Sequence, residues 1–235
     1  MRTRLLNEMC ISITDCPHST PKWTDEGKLV IRNQYIKNGR LDLSNPSFTD
    51  GENFEYRCRR AKPMPGDIII TREAPMGEVC IIPDGVECCL GQRMVLLKPD
   101  PQRCDNRFLL YALMSSSVQH QISWSEGTGT TVSNLRIPHL ENLRIPEFPM
   151  DEQVGIGTTL AAIDEKISIS TAINHHLPPS RSATDNSPDI RRGKRASRRA
   201  ARLRHSSRLF SIADRIGTIN STKSAKIPSD GMAVG

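Results

Sequence analysis

The residues with chemistry to offer in this sequence are hydrogen-bond donors rather than nucleophiles. Arg72 follows the apolar run Ile68–Thr71, the polar pair Gln92-Arg93 separates Gly91 from Met94-Val-Leu-Leu, and the stretch from Asp15 to Trp23 carries His18, Thr20, Lys22 and Trp23. A second polar stretch, Gly127 to Asn134, holds Thr128, Thr130, Thr131 and Asn134 in a glycine-rich setting. Forked guanidinium and amide groups with hydroxyls beside them can donate to phosphate or carbonyl oxygens. Each also has a plainer use. Arg72 can pair with Glu73 or Asp67 at a strand end, His18 can satisfy its own turn, Trp23 can anchor its loop, and the threonines can belong to an ordinary connection. Gln92-Arg93 is the sharpest signal, because a polar pair opening an apolar strand has little packing reason to be there. Ligand contact and the fixing of a neighbouring loop are both open to it.

Catalytic arrangements are thin. Neither G-x-x-x-x-G-K-[ST] nor G-x-G-x-x-G occurs, so no motif that cradles ATP or a dinucleotide is present. Asp67 and Glu73 are spaced somewhat like a nuclease carboxylate pair, but Glu73 is not followed by x-Lys, and Asp67 reads as a turn residue after Pro65-Gly66. His120 and Glu126 have no nucleophile placed with them. Seven cysteines form an odd set without C-x-x-C and without His at zinc-ligand spacing. They read as reduced and structural, with Cys88-Cys89 as strand residues facing opposite ways. No catalytic residue and no metal site is expected.

The elements that must position these donors are legible in outline. Lys28–Arg32, Ile68–Thr71, Glu78–Ile82 and Met94–Lys98 read as strands, and Leu143–Pro146 as a further, proline-bounded one. Turns are marked by Gly39, Asn45-Pro46, Pro65-Gly66-Asp67, Pro83-Asp-Gly85 and Pro99-Asp-Pro101. Between Asn106 and about Ser123 the apolar period changes to that of one amphipathic helix. A second helix starts at Asp151, with Asp151 and Glu152 favourable at its positive end. Its Ile156, Leu160, Ile163 and Ile167 are spaced as a coiled-coil seam that one helix cannot bury alone. Gly155 and Gly157 in its first turns should each weaken it. The expectation is an α/β fold, a mixed α+β globule over residues 1–150 in which helices pack on a twisted sheet. A projecting helix over 151–176 and a basic, disordered tail over 177–235 follow it.

The net charge of +6 belongs to the tail, because residues 177–235 hold 13 Lys/Arg against 4 Asp/Glu while residues 1–176 hold 19 against 22. A main domain of net charge −3 can attract a polyanion only through local clusters. Two candidates are Arg57, Arg59, Arg60 and Lys62, and Lys28, Arg32, Lys37 and Arg40. Solvated surface charge explains each group equally well when taken alone. No apolar run approaches a membrane span or a secretory signal, so a cytoplasmic protein is expected.

Taken in order, DCPHSTP, GKLVIRNQYIKNGRLDLSN, RRAKPMPGDIIITREAPMGEVCIIP, CLGQRMVLLKPDP, GTGTTVSNLRIPHLENLRIP and DEQVGIGTTLAAIDEKI resemble one target-recognition half of a type I restriction-modification specificity subunit, over about residues 8–173. The resemblance implies a non-catalytic reader of one half of a split double-stranded DNA target. It also implies modification and restriction subunits as partners, with S-adenosylmethionine, ATP and Mg2+ bound by those subunits and no cofactor by this chain. Hydrogen-bond readout of DNA then falls to His18, Thr20, Lys22, Arg32, Asn33, Lys62, Arg72, Gln92, Arg93, Thr130, Thr131 and Asn134, and partner contact to Ile156, Leu160, Ile163 and Ile167. The segment HHLPPSRSATDNSPDIRRGKRASRRAARLRHSSRL resembles nothing in the family, as a frameshifted continuation would. A non-assembling remnant, or a non-specific nucleic-acid binder acting through this tail, is the alternative.

Overall fold

A computed structural model describes residues 2–124 and 134–176; Thr128, Thr130, Thr131 and the basic segment from 177 onward lie outside the described residues. The described chain runs β1 (Thr3–Leu5), α1 (Leu6–Met9), β2 (Cys10–Asp15), β3 (Trp23–Thr24), β4 (Lys28–Ile31), β5 (Ile36–Lys37), β6 (Arg40–Leu41), β7 (Ser47–Thr49) and α2 (Gly51–Cys58). It continues through β8 (Ile68–Thr71), β9 (Val79–Ile81), β10 (Cys88–Leu90), β11 (Met94–Pro99), α3 (Asn106–Met114), α4 (Ser116–Ser123), α5 (Ile137–Glu141), β12 (Arg144–Pro146) and α6 (Met150–His176).

Two four-stranded sheets carry the fold. The first, β2-β11-β8-β9, is antiparallel throughout. Its central strands are apolar at every turn of the pleat because both faces are covered. Ile68, Ile70, Val95 and Leu97 point into a core shared with Phe108, Leu109 and Leu113 of α3 and Val118 and Ile122 of α4. The alternate residues Ile69, Met94 and Leu96 meet Ile31, Cys88 and Leu90 of the second sheet. That second sheet, β10-β4-β7-β3, is mixed, with β10 parallel to β4 and the other pairs antiparallel. Cys88 and Cys89 do face opposite ways. Cys88 lies between the sheets, and Cys89 packs with Val30 against Phe54 of α2. The α/β architecture expected from the sequence is therefore present.

The single helix expected over 106–123 is two. The chain breaks at Ser115, whose backbone is extended; its Oγ accepts from Val118 N and so caps α4. β1, α1 and β2, too short to announce themselves, pack the N-terminus beside β12 in an antiparallel ladder from Thr3↔Pro146 to Leu5↔Arg144.

α6 grips the domain through its first half. Gln153 is buried, accepting from Asp105 N and donating to Phe148 O at 2.9 Å, and Tyr111 Oη donates to Asp164 at 3.0 Å. Leu160 is buried and Ile156 packs on the helical core. The seam thus divides: Ile156 and Leu160 serve their own domain, Ile163 and Ile167 are half-buried, and the open apolar side chains of the distal half are Ile169 and Ile173, 53% and 55% exposed. Gly157 does not weaken docking, as its helix propensity alone suggests. A Cβ there would stand 2.8 Å from both Asp105 Oδ1 and Phe108 N, so its absence lets α6 lie against the start of α3.

Candidate nucleic-acid interface

The loops at one end of the two sheets are tied together by side chains, and Arg72 is the central tie. Its side chain is turned inward, with the residue only 9% exposed. Nε donates to Leu135 O at 2.9 Å, Nη1 to Asp15 Oδ2 at 2.7 Å and Nη2 to Asn134 Oδ1 at 3.1 Å. Backbone bonds reinforce it, from Arg72 N to Arg93 O and from Leu135 N to Arg72 O. The partner is Asp15, not the Glu73 or Asp67 expected from proximity in sequence. Three of the five guanidinium donors are engaged by the protein, so Arg72 positions the segments at 15, 93 and 134. Asn134 passes the connection on by donating to Glu73 Oε1 at 2.8 Å, and Glu73 pairs with Arg93 at 3.3 Å. Arg93 is the outward member, at a positive φ of 65° that turns its exposed side chain off the strand line.

The 16–20 loop is fixed from below. Arg57, grouped from sequence with surface cations, is 3% exposed and donates to Leu90 O, Ser19 O and Pro17 O. It is spent on the loop's carbonyls and is not available to phosphate. Gln92 donates to His18 O and Thr20 Oγ1, which is the loop-fixing use of that pair. His18, exposed, meets Asp15 Oδ2 at 3.1 Å across its turn. His18, Thr20, Arg72, Gln92, Arg93 and Asn134 therefore form one connected group.

Trp23, Arg32 and Asn33 continue it. Asn33 Nδ2 donates to Ala74 O at 3.0 Å, joining the end of β4 to the loop that carries Glu73. The Arg32 guanidinium lies 5.1 Å over the Trp23 ring. Trp23 is 45% exposed on an edge strand, so it is not the buried anchor that its size suggests. Lys22 pairs with Asp50 at 2.8 Å, the residue that caps α2. Lys62 lies elsewhere: with Lys28 it flanks Glu87, at 2.9 and 2.7 Å, over the Phe54 ring. Hydrogen bonds from those two lysines hold the Glu87 carboxyl down at about 2. Within the expected basic clusters, Lys28 and Lys62 thus share one carboxylate and Arg57 is spent on carbonyls. Sequence reasoning passed over Asp15, which ends β2, and offered Glu73 to Arg72 rather than to Arg93 and Asn134.

Among the described residues no group of three or more His, Cys, Asp or Glu could hold a metal ion, and no helix is long and apolar enough to cross a membrane. Residues 5–178 match the type I restriction modification DNA specificity domain. The chain belongs to that family. A relative from Methanocaldococcus jannaschii, described as a type I restriction enzyme MjaX specificity subunit, is 34% identical over 103 residues, 44% of this chain and 23% of its own length. In fold the chain is similar to the HsdS subunit of Thermoanaerobacter tengcongensis, with a TM-score of 0.55 at 15% identity over 73% of this chain and 44% of that one. The type I restriction-modification S subunit of M. genitalium gives 0.50 at 24%, over 72% and 40%. A third, at 0.55 and 16% over 73% and 44%, comes from a structure concerned with complex assembly and conformational transition of the type I R-M system. The chain thus spans a quarter or less of the curated relative and under half of each solved one.

Proposed function

We propose that this chain reads one half of a bipartite double-stranded DNA target by hydrogen bonding, without catalysis of its own, in the cytoplasm. One observation carries the reading. The loops at 15–23, 72–75, 92–93 and 134, contributed by both sheets, are cross-tied by Arg57, Arg72, Gln92 and Asn33 into a single preformed surface, and the ties are internal. Loops held this way on a rigid scaffold suit recognition. Arg93, Arg32, His18, Lys22, Thr20 and Asn134 present polar groups on that surface, and Thr130 and Thr131 belong to the stretch that leads into Asn134. Lys62 is assigned to DNA contact only in a flanking role.

Modification and restriction subunits are the proposed partners, docking along Ile163 and Ile167 and the distal half of α6; the similarity to the chain from the R-M assembly structure supports this. S-adenosylmethionine, ATP and Mg2+ belong to those subunits. Two measurements test the proposal. Selection from a pool of randomised duplexes should yield one preferred half-site, and deletion of residues 177–235 should lower salt-sensitive affinity for all DNA while keeping that preference. Loss of the preference with bulk affinity retained would place the reader in the basic segment. Co-purification with a type I modification subunit should weaken with Ile163→Asp; an undiminished complex would show that this face of α6 does not dock.

A further inference from the structure

We infer that Arg32 is the side chain that reads a guanine in the target, and that Trp23 is the positioning residue that holds its guanidinium for that contact. The inference rests on the DNA-reading proposal above and assigns a role within it. The cations of this end of the molecule sort by what already holds them. Arg57 and Arg72 are buried on internal acceptors, Lys22 and Arg93 each face a carboxylate, and away from these loops Lys28 and Lys62 share Glu87. Arg32 is half-buried, stands on the same surface through its neighbour Asn33, and has no carboxylate partner among the described residues.

What it has instead is a fixed orientation. One fork, Nη1, donates to Ser47 Oγ at 3.4 Å, and that hydroxyl is itself bonded to the buried Tyr35 Oη at 2.6 Å. The guanidinium also lies over the Trp23 ring, 5.1 Å from its centroid. A planar donor held by a ring face and by one arm keeps its remaining N–H groups in a set plane and loses little freedom on binding. Paired, coplanar donors fit the O6 and N7 acceptors of guanine on the major-groove edge, the commonest specific contact of arginine with DNA. An ammonium in the same place could reach a phosphate or this edge, but without the planar fork that fixes two donors in one plane. The exposed Trp23 face also gains a purpose, since a tryptophan left half open forfeits burial that a loop anchor would take.

The test uses the full chain and a pool of randomised duplexes, with base preference read position by position for the wild type, Arg32→Lys, Arg32→Ala, Trp23→Phe and Trp23→Ala. The wild type should enrich a site containing guanine. Arg32→Ala should flatten one G·C position by about ten- to a hundredfold and Arg32→Lys should weaken it less, with the other positions and the salt dependence nearly unchanged. Trp23→Phe should keep the preference and Trp23→Ala should lose part of it. Retention of the full preference by Arg32→Ala, or a uniform loss across all sequences with a lower salt slope in that variant, would overturn the assignment while DNA reading stands. No enrichment by the wild type would overturn both.

Discussion

The close approach of α6 to α3 makes two neighbouring glycines respond in opposite directions to the same substitution. Gly155 and Gly157 both lie in the first turns of α6, and in an isolated helix each change to alanine would stabilise by about 1 kcal/mol. A Cβ at Gly155 meets nothing within 4 Å, so Gly155→Ala should keep that gain. At Gly157 the added carbon would stand 2.8 Å from Phe108 N, 2.8 Å from Asp105 Oδ1 and 2.9 Å from Arg107 Cβ. Two of those atoms form the Asp105 to Phe108 bond that caps α3, at 2.8 Å, so no flexible side-chain end is there to move away. Overpacking costs about 1–3 kcal/mol and a lost cap about 1 more, which exceeds the propensity gain. Gly157→Ala should therefore be destabilising by about 1–3 kcal/mol, and the two variants should differ by about 2–4. Urea or thermal unfolding followed by circular dichroism measures this, with the melting temperature rising for one and falling for the other by several degrees. If Gly157→Ala stabilised as much as Gly155→Ala, the tight junction between α6 and α3 would be wrong, and with it the orientation of α6.

Arg57→Met should cost about 3 kcal/mol, since three carbonyls at Leu90, Ser19 and Pro17 lose a charged donor; limited proteolysis should then find new cleavage near residues 17–20 before global unfolding. For Glu87 the carboxyl is held at about 2 against 4.5 ordinarily, so its pairing with Lys28 and Lys62 contributes fully above about pH 4.5 and fades as pH falls through about 2. The stability difference between the wild type and Glu87→Gln should follow that curve in acid titrations of unfolding, and a difference independent of pH would refute it. Burial pushes the thiols of Cys80, Cys88, Cys89 and Cys104 up to about 12, so at pH 8 they should resist iodoacetamide in the native protein and react once it is unfolded, as mass spectrometry would register.

The strands were readable where burial on both faces makes the sequence uniformly apolar between turn residues, as in Ile68–Thr71 and Met94–Leu97. The helical period of 106–123 was readable too, but not its break, because Ser115 fits either a helix surface or a cap and only the packing of α4 decides. The site was legible as a set of loops, not as a division of labour. Arg57, Arg72, Arg93 and Arg32 look alike as letters. Two are buried, one half-buried and one exposed because of partners far along the chain: Arg72 meets Asp15 across 57 positions and Asn134 across 62. No local pattern encodes those pairings. The same holds for Gly157, whose cost in an isolated helix is local and whose necessity comes from a residue 52 positions earlier, Asp105.

The distribution of contacts along α6 bears on how a reading surface could act through a partner. Everything that fixes the helix lies near its start: the β1–β12 ladder just before it, the Gln153 bonds, the glycine contact with α3, buried Leu160, and the Tyr111 and Arg40 bonds to Asp164. Ile169 and Ile173, one turn apart, come after the last of these. A helix clamped over roughly its first fifteen residues and carrying Ile167, Ile169 and Ile173 beyond them behaves as a lever with a set angle, since an α-helix bends only gently without a proline or inserted side chain. The clamp rests on α3, which packs on the opposite face of the β2-β11-β8-β9 sheet from the second sheet, and the strands of both sheets end in the cross-tied loops. A chain docked on the distal half of α6 would thus be held at a fixed orientation to whatever those loops bind. On the proposed function, that fixed orientation is what this chain would supply to a partner acting at a distance from the bases.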